Sequence, residues 1–249
     1  MTNKNRLDRP VAIKLKLTPT RNLHDWLARS IGERILAGEF APGTVLPNEA
    51  AWGKTYDVSR TAVREAIKTL TGKGLILSRP KIGSRVEPRD RWNLLDRDVL
   101  TWHRSAIDRR SFATSTQEAR RIIEPGVAEL AAKKRTVEQL DRLIVALEAM
   151  REAKSVQANV AADLEFHEAL LQAANNDLLM PFGIIIEQAL GNLFDYTSQR
   201  NPKLSLAVKL HEKIVRAVID QDIEAARLAM LRLIDDTDTV IASTSPLKK

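Results

Sequence analysis

The chain has 249 residues, of which 44 % are hydrophobic and 29 % charged, with a formal net charge of +7 and no cysteine. That size supports a buried core in one large domain or two modest ones. The lack of cysteine excludes disulfides, thiolate metal sites and thiol nucleophiles, and no apolar run approaches the ~18 residues needed to span a bilayer. The opening MTNKNRLDRP is basic but leads into no apolar stretch, so a secretory signal is not expected and a cytoplasmic location is.

In chain order, residues 1–20 read as a flexible basic arm ending at Pro19. Leu23, Trp26, Leu27, Ile31, Ile35 and Leu36 recur at three- and four-residue steps, which predicts a helix over 22–37. Gly38, Pro42, Gly43 and Pro47 then break the pattern. Asn48 is placed to cap a short helix, and Ser59 to cap the next, whose Val63, Ile67 and Leu70 share one side. Gly72 and Gly74 end that helix. LILS and SRVEP follow as two β-prone pieces, a hairpin turning at Lys81–Gly83.

Residues 89–95 read as a linker between a head at 21–88 and a body at 96–242, with 243–249 as a tail. Every pattern in the body is helical, over about 96–107, 115–134, 137–154, 158–174, 177–199, 203–220 and 222–242. Pro125 interrupts one pattern and predicts a kink, whereas Pro181 falls in a first turn, where it is tolerated. Short connections predict antiparallel neighbours. The expected fold is therefore mainly α: a winged helix-turn-helix followed by an all-helical antiparallel bundle.

Charge follows the same division. Residues 1–88 hold 16 Lys/Arg against 8 Asp/Glu, and residues 89–249 hold 23 against 24, so the whole surplus lies in the first third of the chain, arm and head together. A basic head on a neutral body suggests a polyanion-binding unit. Arg60 and Arg64 are four apart on the presumed recognition helix, and an arginine in the major groove can pair bidentately with guanine. Ser59 and Thr61 sit at its N-terminus, where hydroxyls and N–H groups hold phosphate. Arg79, Lys81 and Arg85 are placed on the wing to meet the DNA backbone or minor groove. The segment LPNEAAWGKTYDVSRTAVREAIKTLTGKGLILSRPKIGSRV resembles the N-terminal domain of GntR-family bacterial transcription regulators, over residues 22–88. In that family two recognition-helix arginines read bases, which implies that role for Arg60 and Arg64. The chain departs from the usual pattern in having Ala50 where many members carry arginine, and Lys81 where glycine is usual.

In the body, Asp163 and His167 are four apart, on one helix face beside Leu164, Phe166, Leu170 and Leu171. Such a pair can share a metal ion or hydrogen-bond to each other. His211 lies on a later helix, and if the two helices face each other three N/O ligands converge. Gln188 and Asn192 are also four apart, placed either to line a pocket or to sit at a helix seam. Arg120 has Glu124 four residues on, so a surface ion pair is its plain reading.

The pattern D-x3-H, N-x-LL, H-x2-I is similar to the FCD effector domain of the FadR branch of the same family, over about 95–240. That resemblance implies effector binding through Arg120, Asp163, His167 and His211, a pocket that Gln188 and Asn192 line if they do not sit at a seam. It further implies a divalent ion, zinc or similar, on Asp163, His167 and His211. The fourth ligand position of metal-binding members falls on Leu233, which cannot ligate, leaving three protein ligands. The alternative is no metal, with both histidines hydrogen-bonding the effector. The junction RDRWNLLDRDVLTW and the stretch EARRIIEPGVAELAA resemble the subset that responds to sugar acids, the galactonate type among them. The expected protein is a homodimeric repressor of a sugar-acid operon, with double-stranded operator DNA and a small carboxylate as partners, and not an enzyme. Two rivals stand beside it: an architectural DNA-binding dimer with an inert body, and a metalloenzyme built on two histidines and one carboxylate.

Overall fold

A computed structural model describes residues 23–79, 83–197 and 204–243. It divides into two compact units, at Leu94 and Leu95.

The first unit holds α1 (Leu23–Leu36), α2 (Glu49–Tyr56), α3 (Arg60–Gly72), β1 (Ile76–Arg79) and β2 (Gly83–Val86). Leu27, Ile31 and Ile35 of α1 and Val63, Ile67 and Leu70 of α3 are buried, as the spacing predicts. Asn48 and Ser59 cap α2 and α3 through Ala51 N and Ala62 N. Between them Asp57 takes φ 52°, the left-handed step that turns α2 into α3. The strands pair antiparallel, with Ile76 opposite Val86 and Arg79 opposite Gly83. Val45 adds a bridge to Arg85, so the loop after α1 runs along the hairpin. Gly74 has φ +73° and lies so close to Arg91 that a Cβ would meet its carbonyl oxygen at 2.3 Å. The stretch expected as a linker is docked on this unit: Trp92 is buried, its Nε1 donates to Glu87 O, and Asn93 N donates to Lys73 O.

The second unit is helical throughout its described residues: α4 (Arg97–Ala106), α5 (Arg109–Lys134), α6 (Val137–Glu152), α7 (Val156–Ala173), α8 (Gly183–Thr197), α9 (Leu204–Ile219) and α10 (Ile223–Ser243). Its core joins Val127, Leu143, Leu147, Phe166, Leu170, Ile214, Val218, Met230 and Ile234. α5 packs on α7, α8, α9 and α10, and α6 packs on α7 and α9. Two boundaries differ from expectation. α5 begins at Arg109, six residues early, because Asp108 caps it through Ser111 N. The helix expected over 177–199 is divided: Asp177–Phe182 forms a 3-10 turn that contains Pro181, and α8 starts only at Gly183. Among the described residues no helix is long and apolar enough to cross a membrane.

Candidate nucleic-acid interface and buried polar cluster

On the head, Ser59 accepts from Ala62 N at 3.2 Å, so its hydroxyl is engaged in the cap. Arg60 and Thr61, in the first turn of α3, are exposed. Arg64 forks onto Glu49 of α2, Nε to Oε1 and NH2 to Oε2 both at 3.4 Å. Arg64 and Arg79 line one groove of about 750 Å³ between α2, α3 and the hairpin. Arg85 donates to the Gly43 carbonyl, which ties the wing to the preceding loop. Lys81 lies outside the described residues. Apart from Lys81, the residues named for this surface belong to one unit, with Arg60 free and Arg64 and Arg85 held among the described residues.

In the body, α7 carries Asp163 and His167 one turn apart, α9 supplies His211, and α5 supplies Arg120 and Glu124. Candidate ligand atoms of Asp163, His167 and His211 lie within 4.8 Å of one another. Asp163 Oδ1 is 3.4 Å from His167 Nε2 and 3.0 Å from His211 Nε2. On the other edge of its ring, His167 Nδ1 is 3.0 Å from Glu124 Oε2. Glu124 in turn accepts from Arg120 Nε at 2.5 Å, and Arg120 NH1 donates to Gln117 Oε1 at 3.0 Å. Gln117 continues to Asp238 of α10 at 2.9 Å. Arg120, Glu124 and His211 are each 1 % exposed, and His167 2 %.

Charge buried this deeply must be met inside the protein. Burial pushes the Glu124 carboxyl up, but Arg120 and His167 override it and hold it at about 2. Burial likewise opposes ionisation of Asp163, and the two imidazoles hold it far below the usual carboxylate range. Burial would lower His167, yet Glu124 and Asp163 raise it to about 9. These are ion-pair distances without hydrogen-bond alignment: Asp163 Oδ1, His167 Nδ1 and Nε2, and His211 Nε2 are buried with no hydrogen-bond partner. His211 Nδ1 donates to the Ala207 carbonyl at 2.8 Å, which fixes the ring with its Nε2 toward the Asp163 carboxylate oxygen. One carboxylate oxygen and two imidazole nitrogens converging in a buried space are held together by a proton or by a cation between them. The two-imidazole, one-carboxylate donor set suits zinc or a similar divalent ion.

The other predicted residues lie differently. The Arg120 fork is occupied by Glu124 inside the core, where the sequence offered a surface pair or a free effector fork. Gln188 is buried but donates to Thr101 of α4 at 3.1 Å, with its Oε1 unpartnered. The side chain of Asn192 lies outside the described residues. Sequence reasoning missed Glu124 as a member of the cluster, and missed Asn159 on the same face of α7. Glu124 was weighed only as a partner for Arg120, although its spacing puts it on the same buried stripe. Asn159 precedes Asp163 by one turn and is buried with an unpartnered Nδ2, a signal present in the four-residue spacing of Asn159, Asp163 and His167.

Residues 23–86 match the model of the bacterial regulatory proteins, gntR family, and residues 116–236 match that of the FCD domain. The chain is 37 % identical over 227 residues to the HTH-type transcriptional regulator YieP of Escherichia coli, covering 90 % of this chain and 97 % of that one. It is 31 % identical over 217 residues to the galactonate operon transcriptional repressor of Escherichia coli, covering 86 % and 95 %. The solved structure of Lar, which controls expression of the Listeria monocytogenes agr system, aligns with a TM-score of 0.59 at 18 % identity over 90 % of this chain and 99 % of that chain. That last likeness is one of fold alone.

Proposed function

Since the chain belongs to the GntR family of transcription regulators, with an FCD domain behind its winged head, we propose that it represses a sugar-acid catabolic operon. In this reading a small carboxylate, bound with a divalent ion in the helical body, modulates its hold on operator DNA. Membership places the chain among regulators and sets aside the metalloenzyme reading. The galactonate repressor among its relatives supports the sugar-acid class.

The observation that carries the ion is the set of buried, unpartnered atoms on Asp163, His167 and His211. Charge favours a monoanionic ligand. Arg120 against Glu124 and Asp163 leaves one negative charge when both imidazoles are neutral, a divalent ion reverses it to one positive, and one carboxylate balances that. With Leu233 in place of a fourth ligand, coordination positions remain for the carboxylate and a hydroxyl of the effector. Asn159 Nδ2 is a donor suited to a further hydroxyl. On the head, Arg60 and Arg64 read base edges, Ser59 and Thr61 hold phosphate, and Arg79, Lys81 and Arg85 carry the wing onto the duplex. Two heads of a homodimer read half-sites of a near-palindrome. Ligand and DNA then oppose each other by linkage, typically by about 1–3 kcal/mol.

The test uses full-length protein. Elemental analysis is expected to find a divalent ion, and a panel of aldonic and uronic acids is expected to raise the melting temperature. A ligand at 100-fold its Kd adds about 2.7 kcal/mol. Chelation is expected to abolish the shift, and the active acid to weaken operator binding. If no acid shifts the melt with or without the ion, the body is inert and the architectural reading replaces this one.

A further inference from the structure

Glu124 stands between two groups that compete for it. Its Oε1 accepts from Arg120 Nε at 2.5 Å, and its Oε2 lies 3.0 Å from His167 Nδ1. It is 1 % exposed, so bulk solvent does not screen its charge. A carboxylate against Nδ1 keeps a proton on that nitrogen and leaves the Nε2 lone pair for whatever lies on the far edge of the ring. On that far edge are Asp163 Oδ1 at 3.4 Å and, beyond it, His211 Nε2. At His211 the backbone stands in the corresponding place, since Ala207 O engages its Nδ1 at 2.8 Å by a hydrogen bond, whereas Glu124 meets His167 Nδ1 as a charge contact.

We propose that Glu124 is a positioning residue of the ion site. It holds the His167 ring with Nε2 toward Asp163 and His211, and it neutralises Arg120, whose guanidinium would otherwise repel a cation. The proposal rests on reading the cluster as a divalent-ion site, and it assigns Arg120 a role that differs from the expected one. With its fork on Glu124 and NH1 on Gln117, Arg120 is a counter-charge, and an incoming carboxylate meets the ion instead.

Co²⁺ alone is the probe, titrated into chelator-stripped full-length protein and followed by its visible absorption and by competition with a chelating dye. The unmodified protein is expected to bind Co²⁺ at one site. Glu124→Gln is expected to bind it about 10- to 100-fold more weakly, with an altered spectrum. Arg120→Gln is expected to bind at least as tightly as the parent, because a nearby positive charge is gone. Glu124→Gln strands the guanidinium, so Arg120→Gln/Glu124→Gln, which removes both charges, is the second variant. Relative to Arg120→Gln, it is expected to reproduce the weakening and the spectral change. Parental affinity and spectrum in either Glu124 variant overturn the proposal. So does an Arg120→Gln loss equal to that of Glu124→Gln, which would mark a shared structural role. No uptake by the unmodified protein overturns the ion-site reading and this inference together, whereas uptake that ignores Glu124 overturns this inference only.

Discussion

His167 has a carboxylate on each edge of its ring, so its proton is held by Glu124 and Asp163 together. Its pKa is raised from the ordinary 6.5 to about 9. A raised folded value contributes stability that is complete below the unfolded value and is lost as pH rises through the folded one. The ion-free protein is therefore expected to lose urea resistance between about pH 7 and 9.5. With Zn²⁺ present the loss should shrink, since the ion takes the place of the proton. A flat profile without the ion would mean that the ring is already neutral. On the head, Arg60 has no partner among the described residues, while Arg64 is braced by Glu49. Arg60→Ala and Arg64→Ala are each expected to cost about 1–3 kcal/mol of preference for the operator over a scrambled duplex, read by fluorescence anisotropy. The melting response to sugar acid should persist in both variants.

At the scale of elements, the wing is seated by backbone approach as much as by side chains. Gly74 combines φ +73° with a 2.3 Å approach of any Cβ to the Arg91 carbonyl. Gly74→Ala is expected to destabilise the head by about 1–3 kcal/mol, measured as a lowered urea midpoint for its unfolding. The same variant should leave Co²⁺ uptake by the body unchanged. Much of the element plan was legible in the chain. Periodicity marked α1 and α3 with their buried faces, and Asn48 and Ser59 marked two starts. The early start of α5 was hidden because Arg109 and Arg110 carry no apolar signal, and only the Asp108 cap announces it. The 3-10 turn before α8 was hidden because Leu178, Leu179 and Met180 continue an apolar pattern that Pro181 cannot extend. In the site, Asp163 and His167 were readable from their spacing, and so was His211 once its helix was placed. The burial of Arg120 with Glu124 was not, since a four-residue charge pair looks the same on a surface and in a core.

For the molecule as a whole, charge and chemistry are segregated along the chain. The surplus of positive charge belongs to residues 1–88, and the near-neutral remainder encloses the polar cluster. DNA binding is accordingly expected to weaken steeply between about 50 and 200 mM salt, with a slope set by the phosphates neutralised. Acid-induced melting shifts should be far less salt-sensitive. Parallel slopes for the two would place the small-molecule site on the surface. The enclosure of His167 and His211, at 2 % and 1 % exposure, also has a consequence in time. The Asp163 side chain keeps 14 % exposure, so an ion held with α7 and α9 is reached from that side, and its uptake and loss depend on breathing of the bundle as well as on the strength of three bonds. A chelator is then expected to strip the metal slowly, and a preparation taken quickly from the cell would still carry, in its colour or mass, the metal it met while folding.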